Sequence, residues 1–130
     1  MAIRSFNDLL DEARRQSEPQ RLLFVFARAE LPDEPSAEQR RRFEQGEGGV
    51  LTPVLCVDKS IDELSDMAAL VEEARKTGME WDVAFVAALA DPNGAADVEP
   101  HLERMVESLK MGSVERFLAF DTRGEVLSLG

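Results

Sequence analysis

The sequence is poor in the residues that build disulfides and zinc sites. Its 130 residues include one cysteine, one histidine, one tryptophan and no tyrosine. One cysteine cannot form an internal disulfide, so nothing in the sequence indicates an oxidising compartment. One histidine has no partner with which to ligate zinc. These absences exclude a disulfide scaffold and a Cys/His zinc module.

Long hydrophobic runs are also missing. No apolar run approaches the ~20 residues that span a bilayer. The first residues, Met1–Ser5, lack the long apolar stretch of a signal peptide. We therefore expect a cytoplasmic protein that has no membrane partner.

Positive charge is scarce. The chain has 26 acidic and 15 basic residues, which gives a net charge of −11. Binding to nucleic acid or to anionic lipid depends on Lys and Arg displacing counterions, so we expect no nucleic-acid partner. The acidic surface is typical of a protein that stays soluble at high concentration.

Apolar residues make up 44% of the chain and are concentrated in four short runs. Continuous runs of this length are typical of strands buried on both faces, which requires helices above and below a sheet. The connections between them, about twenty residues each, exceed what a parallel crossover needs. We therefore predict one α/β domain over residues 1–130, with helices packed on a mostly parallel or mixed sheet of about five strands. The four runs are Leu22–Ala27, Val54–Val57, Val83–Ala90 and Phe117–Phe120.

Local signals locate the other elements. Ser5 and Ser36 are in position to cap two helices, and the Ser60 capping box predicts a long amphipathic helix that ends near Gly78. Pro53 favours either an edge position or an irregular start for the second strand, because proline cannot donate to a sheet ladder. The turn ending at Gly124 predicts a C-terminal β-hairpin with a last strand near residues 125–129.

Four carboxylates follow the predicted strands: Glu30, Asp58, Asp91 and Asp121. If the strands are parallel, these side chains converge on one edge of the sheet, where open α/β proteins bind ligands. Such a cluster could hold Mg²⁺ for phosphate chemistry, with Lys59 supplying a positive charge to the phosphate. The alternative is that these residues only form the turns that end each strand.

Three further residues have less specific interpretations. Cys56 lies inside an apolar strand, so we expect a buried thiol with a raised pKa rather than a nucleophile. His101 lies at the start of a predicted helix and has no sequence-adjacent partner for catalysis or metal binding. Trp81 fits either the core or an interface.

Five stretches of this chain resemble a family of small bacterial proteins of about this length that has no established activity. They are Arg21–Ala27, Leu51–Lys59, Trp81–Leu89, Met105–Ser108 and Phe117–Asp121. Such relatives are sometimes labelled ribonucleotide reductase subunit alpha. That subunit needs a large barrel, a radical cysteine and a redox cysteine pair, which a chain of 130 residues with one cysteine cannot supply. The resemblance therefore implies no site residues.

No motif in this sequence links an acid, a base, a nucleophile or a metal ligand into a catalytic site. We therefore expect a non-catalytic, cytoplasmic protein-interaction or accessory domain without a cofactor, which associates with a protein partner or with itself. The alternatives are a magnesium-dependent phosphate-handling enzyme or receiver-like domain, and a small-molecule sensor with its pocket beneath the loop at residues 31–49.

Overall fold

The computed structural model describes residues 3–31, 33–45, 50–64, 67–91, 94, 97–111 and 117–127. Within these residues no helix is long and apolar enough to cross a membrane. The helices are α1 (Phe6–Arg14), α2 (Ala37–Glu44), α3 (Met67–Arg75) and α4 (Glu99–Lys110), with a 3₁₀ turn at Ile61–Glu63. The strands are β1 (Gln20–Glu30), β2 (Val50–Ser60), β3 (Val83–Ala90) and β4 (Leu118–Phe120).

The four described strands form one sheet in the order β2-β1-β3-β4, and every neighbouring pair is antiparallel. The predicted mostly parallel or mixed sheet of about five strands is therefore wrong. A connection of about twenty residues permits a parallel crossover but does not require one. Here β1 to β2 and β3 to β4 join neighbouring antiparallel strands, and only the connection from β2 to β3 crosses another strand, β1.

β1 lies at the centre and accounts for the most buried run in the sequence. Each residue from Leu22 to Ala27 is at most 2% exposed. Successive side chains of a strand point to opposite faces, so three of them pack on each side of the sheet. Leu22, Phe24 and Phe26 face one core, while Leu23, Val25 and Ala27 face the other.

The first face of the sheet is covered by α1 and α3, and the second by α4. Aromatic contacts dominate the first core. The rings of Phe6 and Phe120 meet edge to face at 5.6 Å, and Trp81 packs 4.8 Å from Phe26. Trp81 is 8% exposed, so of its two interpretations the structure supports the core position.

β2 is an edge strand, as Pro53 predicted, and it contains no buried residue. The pairing with β1 shifts beside this proline. Phe26 pairs with Leu55, but the next residue, Ala27, pairs with Pro53, so Val54 is an extra residue in β2. The extra residue makes a β-bulge, a common feature of sheet edges.

The serine caps are confirmed in position, but one of the predicted helices is not continuous. Ser5 Oγ accepts a hydrogen bond from the Asp8 amide at 3.2 Å, and Ser36 makes its capping box with Gln39. Ser60 donates to Glu63 as expected, but only a 3₁₀ turn follows. Leu64 is extended and buried in the first core, and α3 starts separately at Met67.

The predicted C-terminal hairpin is present only as a turn followed by single bridges. Gly124 has a φ of +84°, and the Leu127 amide donates to the Ala119 carbonyl at 2.8 Å. Phe120 forms an isolated bridge with Val126, so the described part of this segment is not a fifth strand. Residues 128 and 129 of the predicted strand lie outside the described residues.

Gly124 and Gly78 provide a matched test of this packing, because both have positive φ. A Cβ at Gly124 would lie 3.1 Å from the Met67 Cβ, whereas a Cβ at Gly78 would meet nothing within 4 Å. Gly78→Ala should therefore lower the free energy of unfolding only through the strain of a left-handed backbone, by about 1–2 kcal/mol. Gly124→Ala should lower the free energy of unfolding by at least about 1 kcal/mol more, because its Cβ overpacks against α3. Urea unfolding of both variants measures the difference, and equal losses would show that the Gly124 turn does not pack on α3.

Candidate functional site

The antiparallel order separates the predicted carboxylates into two pairs. Arg21, near the start of β1, pairs with Ser60 at the end of β2 and with Leu89 near the end of β3. Asp58 and Asp91 therefore lie at that end of the sheet. The last residue of β1, Glu30, lies nine residues further along, about 30 Å away at the rise of an extended strand.

Asp121 belongs to the distant pair. It follows Phe120, which pairs with Ala84 near the start of β3, so it lies at the same end of the sheet as Glu30. The expected convergence of all four carboxylates is wrong, because it required parallel strands. Among the described residues no three His, Cys, Asp or Glu side chains are close enough together to hold a metal ion. The magnesium site therefore has no geometric support.

Asp58 and Asp91 are held by an arginine that the sequence analysis did not identify. Arg21 Nε lies 2.6 Å from Asp58 Oδ2, and Arg21 Nη1 lies 3.9 Å from Asp91 Oδ2. The side chains are 25%, 27% and 8% exposed, respectively. We call Arg21, Asp58 and Asp91 the Arg21 cluster. It joins the start of β1 to the ends of both neighbouring strands.

The sheet register explains how the Arg21 cluster forms. Asp58 pairs with Leu23, which points to the same face of β1 as Arg21 two residues earlier. Asp91 follows β3, and its amide donates to the Pro19 carbonyl at 2.8 Å just before β1. The one signal in the sequence was a cation directly before a fully apolar strand, where a partly buried charge requires a partner.

The chemistry of the Arg21 cluster is that of a structural ion pair. The hydrogen bond from Arg21 to Asp58 is charge-assisted and short. This hydrogen bond, followed by the attraction of the Asp58 charge, raises the pKa of Arg21 despite its partial desolvation. A carboxylate already bound to a guanidinium is a poor ligand for a cation, so the cluster fastens strand ends together rather than binding magnesium.

Lys59 does not assist Asp58. Neighbouring strand residues point to opposite faces, and Lys59 lies on the face of α3, where its ammonium group contacts the Glu73 carboxylate. The expectation that Asp58 and Lys59 would act together on a phosphate is therefore not met.

Cys56 is exposed, so the expectation of a buried thiol is wrong. The neighbours of Cys56 in the sequence are apolar, but β2 lies at the edge of the described sheet, and no described strand pairs with its outer side. Partial desolvation by its neighbours still raises the thiol pKa, which disfavours the thiolate. His101, on α4, lines a groove that Cys56 does not line.

The outer edge of β2 is the second candidate site. Val50 is 49% exposed, Cys56 is exposed, and four further apolar residues are half-buried. Both charges of the strand are neutralised inside the chain, Asp58 by Arg21 and Lys59 by Glu73. The half-buried residues are Leu51, Val54, Leu55 and Val57. We call Val50–Ser60 the β2 edge. It is a long, apolar and locally neutral strand edge.

The third sequence hypothesis placed a pocket beneath the loop at residues 31–49. α2, the helix within this loop, has no buried residue. A helix without buried side chains does not enclose a pocket, so the structure lends this location no support. Pro32 and residues 46–49 lie outside the described residues.

Comparison with known proteins adds no identity. No family model, no curated protein and no solved structure matches this chain. The resemblance to a family of small bacterial proteins therefore stays a prediction, and the interpretation depends on the geometry.

Replacing Arg21 tests the structural role of the Arg21 cluster. Arg21→Met leaves two carboxylates without their cation, and we expect the free energy of unfolding to fall by about 1–3 kcal/mol, less than for a fully buried pair. Arg75→Met is the control, because Arg75 is 74% exposed and pairs with exposed Glu72. Arg75→Met should lower the free energy of unfolding by less than about 0.5 kcal/mol. Equal losses in chemical denaturation would contradict the cluster.

Glu63 provides a pH test at the same end of the sheet. Hydrogen bonds from the Ser60 amide, and then from its hydroxyl, lower the Glu63 pKa below the ordinary 4.5. A lowered folded pKa adds stability above the ordinary value, and this is lost as the pH falls through the folded pKa. NMR titration of the Glu63 carboxyl should show the lowered midpoint. Ser60→Ala removes only the hydroxyl bond, so it should raise the midpoint part of the way. An unchanged midpoint would mean that the hydroxyl bond is absent in solution.

Proposed function

We propose that this protein is a non-catalytic, cytoplasmic interaction domain that binds a second copy of itself through the β2 edge. The observation that carries the proposal is an eleven-residue edge strand with no buried residue. Its backbone is paired on one side only within the described sheet. Unpaired edge N–H and C=O groups are a template on which another strand can form hydrogen bonds.

The composition of the β2 edge supports this use. In many natural edge strands, charged side chains that face the solvent prevent association with another strand. Here the carboxylate of Asp58 and the ammonium of Lys59 are each held by an opposite charge of the same chain. Only Pro53 and the adjacent bulge interrupt the edge, which leaves the segment after Val54 open to pairing.

A second copy is the partner that suits this edge. Antiparallel pairing of two β2 strands is self-complementary, as two-fold dimers require, and brings no uncompensated like charges together. The net charge of −11 acts at longer range and is screened beyond about 8 Å at physiological salt. The opposite edge of the described sheet is less suitable, because β4 has three residues and is bridged by Val126.

The only cysteine is a free thiol at the surface, which is compatible with the reducing cytoplasm. The magnesium-dependent alternative would need its four carboxylates in one cleft, and the strand register separates them into two pairs.

Cys56 offers the sharpest variant, because its side chain is exposed and the isolated fold should tolerate replacement. Cys56→Glu places a carboxylate in the middle of the paired edges, opposite its own copy or close to the partner's Asp58. Desolvation and repulsion there should weaken the dimer at least about tenfold. Cys56→Ser is the matched control and should dimerise like the unmodified protein. Sedimentation equilibrium measures all three.

Two results would contradict the proposal. One is an unmodified protein that remains monomeric at hundreds of micromolar. The other is a dimer that Cys56→Glu leaves unchanged, which would assign the association to another surface.

A further inference from the structure

Within the part of the chain that the structure describes, the second face of the sheet is covered by fewer helices than the first. Among the described helices only α4 packs there, and most of its contacts are with β1 and β2. A helix is about 10 Å wide and strands lie about 4.8 Å apart, so one helix covers about two strands. Val83 and Phe85, near the start of β3, are buried in the second core, but the end of β3 is left beside α4 as a groove.

The groove has a volume of about 200 Å³. Its floor consists of Leu23 from β1 with Ala87 and Leu89 from β3, and Phe117 closes one side. This volume is below the about 300–1,000 Å³ of pockets for drug-sized ligands. The apolar floor and the size fit the body of a small molecule.

The wall of the groove on α4 carries one cation and two further polar side chains beside the apolar Met105. His101, Arg104 and Ser108 line it, at spacings of three and four that place them on one side of a helix. No carboxylate is among the described residues that line the groove. Arg104 also takes part in none of the ion pairs between described residues, whereas Arg21, Arg28 and Arg75 each have one. In a protein with a net charge of −11, this is a local site of the opposite sign.

We propose that this groove binds a small monocarboxylate with an apolar body. The guanidinium of Arg104 presents parallel N–H donors that match the two oxygens of a carboxylate. The imidazole of His101 and the hydroxyl of Ser108 add further donors along the same wall. The apolar part of the ligand lies on Leu23, Ala87 and Leu89, where its burial replaces exposed apolar surface.

The site is independent of the proposed dimer. The β2 edge lies on one side of β1, and the β3 portion of the sheet lies on the other. Loss of dimerisation therefore leaves the groove intact, and loss of ligand binding leaves the dimer intact. The two proposals can fail separately.

Hexanoate, hexanol and hexylamine are the probes, because they share a chain and differ in charge. Addition of hexanoate in the millimolar range should shift the amide signals of Ala87, Leu89 and Arg104 in a saturable manner. Hexanol should bind at least tenfold more weakly, and hexylamine should produce no localised shifts. Equal binding of hexanol and hexanoate would overturn the proposal, because it would show that the cationic wall has no role. The absence of saturable shifts with hexanoate would overturn it as well.

The matched variants are Arg104→Gln in the groove and Arg40→Gln on α2. Both remove one positive charge, and α2 has no buried residue. Arg104→Gln should weaken hexanoate binding at least tenfold, while Arg40→Gln should change it less than twofold. Similar effects of the two variants would reduce the binding to general electrostatics and contradict a site in the groove.

Discussion

The structure depends on the burial of β1 between two antiparallel neighbours. Its six central residues exclude water on both faces, and both of its edges are paired, with β2 on one side and β3 on the other. A strand in that position needs helices on both sides, and α1, α3 and α4 supply the cover. The full pairing of β1 leaves β2 as the long strand at the boundary of the described sheet.

The direction of the strands decides which charges meet. Because β1 is antiparallel to both neighbours, its first residues lie beside the last residues of β2 and β3. Arg21 can therefore hold Asp58 and Asp91 together, while Glu30 and Asp121 lie at the other end. The same arrangement neutralises Asp58, and Glu73 neutralises Lys59, so the β2 edge keeps no unpaired charge of its own.

Local features of this fold could be predicted from the sequence, and relative directions could not. Leu22–Ala27 was recognisable as a strand buried on both faces, and Ser5, Ser36 and Pro53 marked two helix starts and an edge. These signals act within a few residues. The direction of a strand depends on how helices of similar length return the chain, and both outcomes satisfy the same hydrophobic pattern.

The candidate sites show the same limit. Asp58 was recognised as a strand-end carboxylate, but its partner Arg21 is distant in sequence and is brought close only by the register. Cys56 was expected to be buried because its run is apolar, yet an edge position exposes it. The groove beside α4 arises from the number of helices on one face, which periodicity within a single segment does not reveal.

The most direct test of this account is the pattern of interstrand Hα–Hα nuclear Overhauser effects between β1 and β2. In antiparallel strands every second facing pair brings its Cα atoms to about 4.5 Å, which gives a strong contact. We expect such contacts at Leu23–Asp58 and Val25–Cys56, or at the alternate pairs Leu22–Lys59 and Phe24–Val57. Contacts that instead join the start of β1 to the start of β2 would show parallel strands and contradict the account.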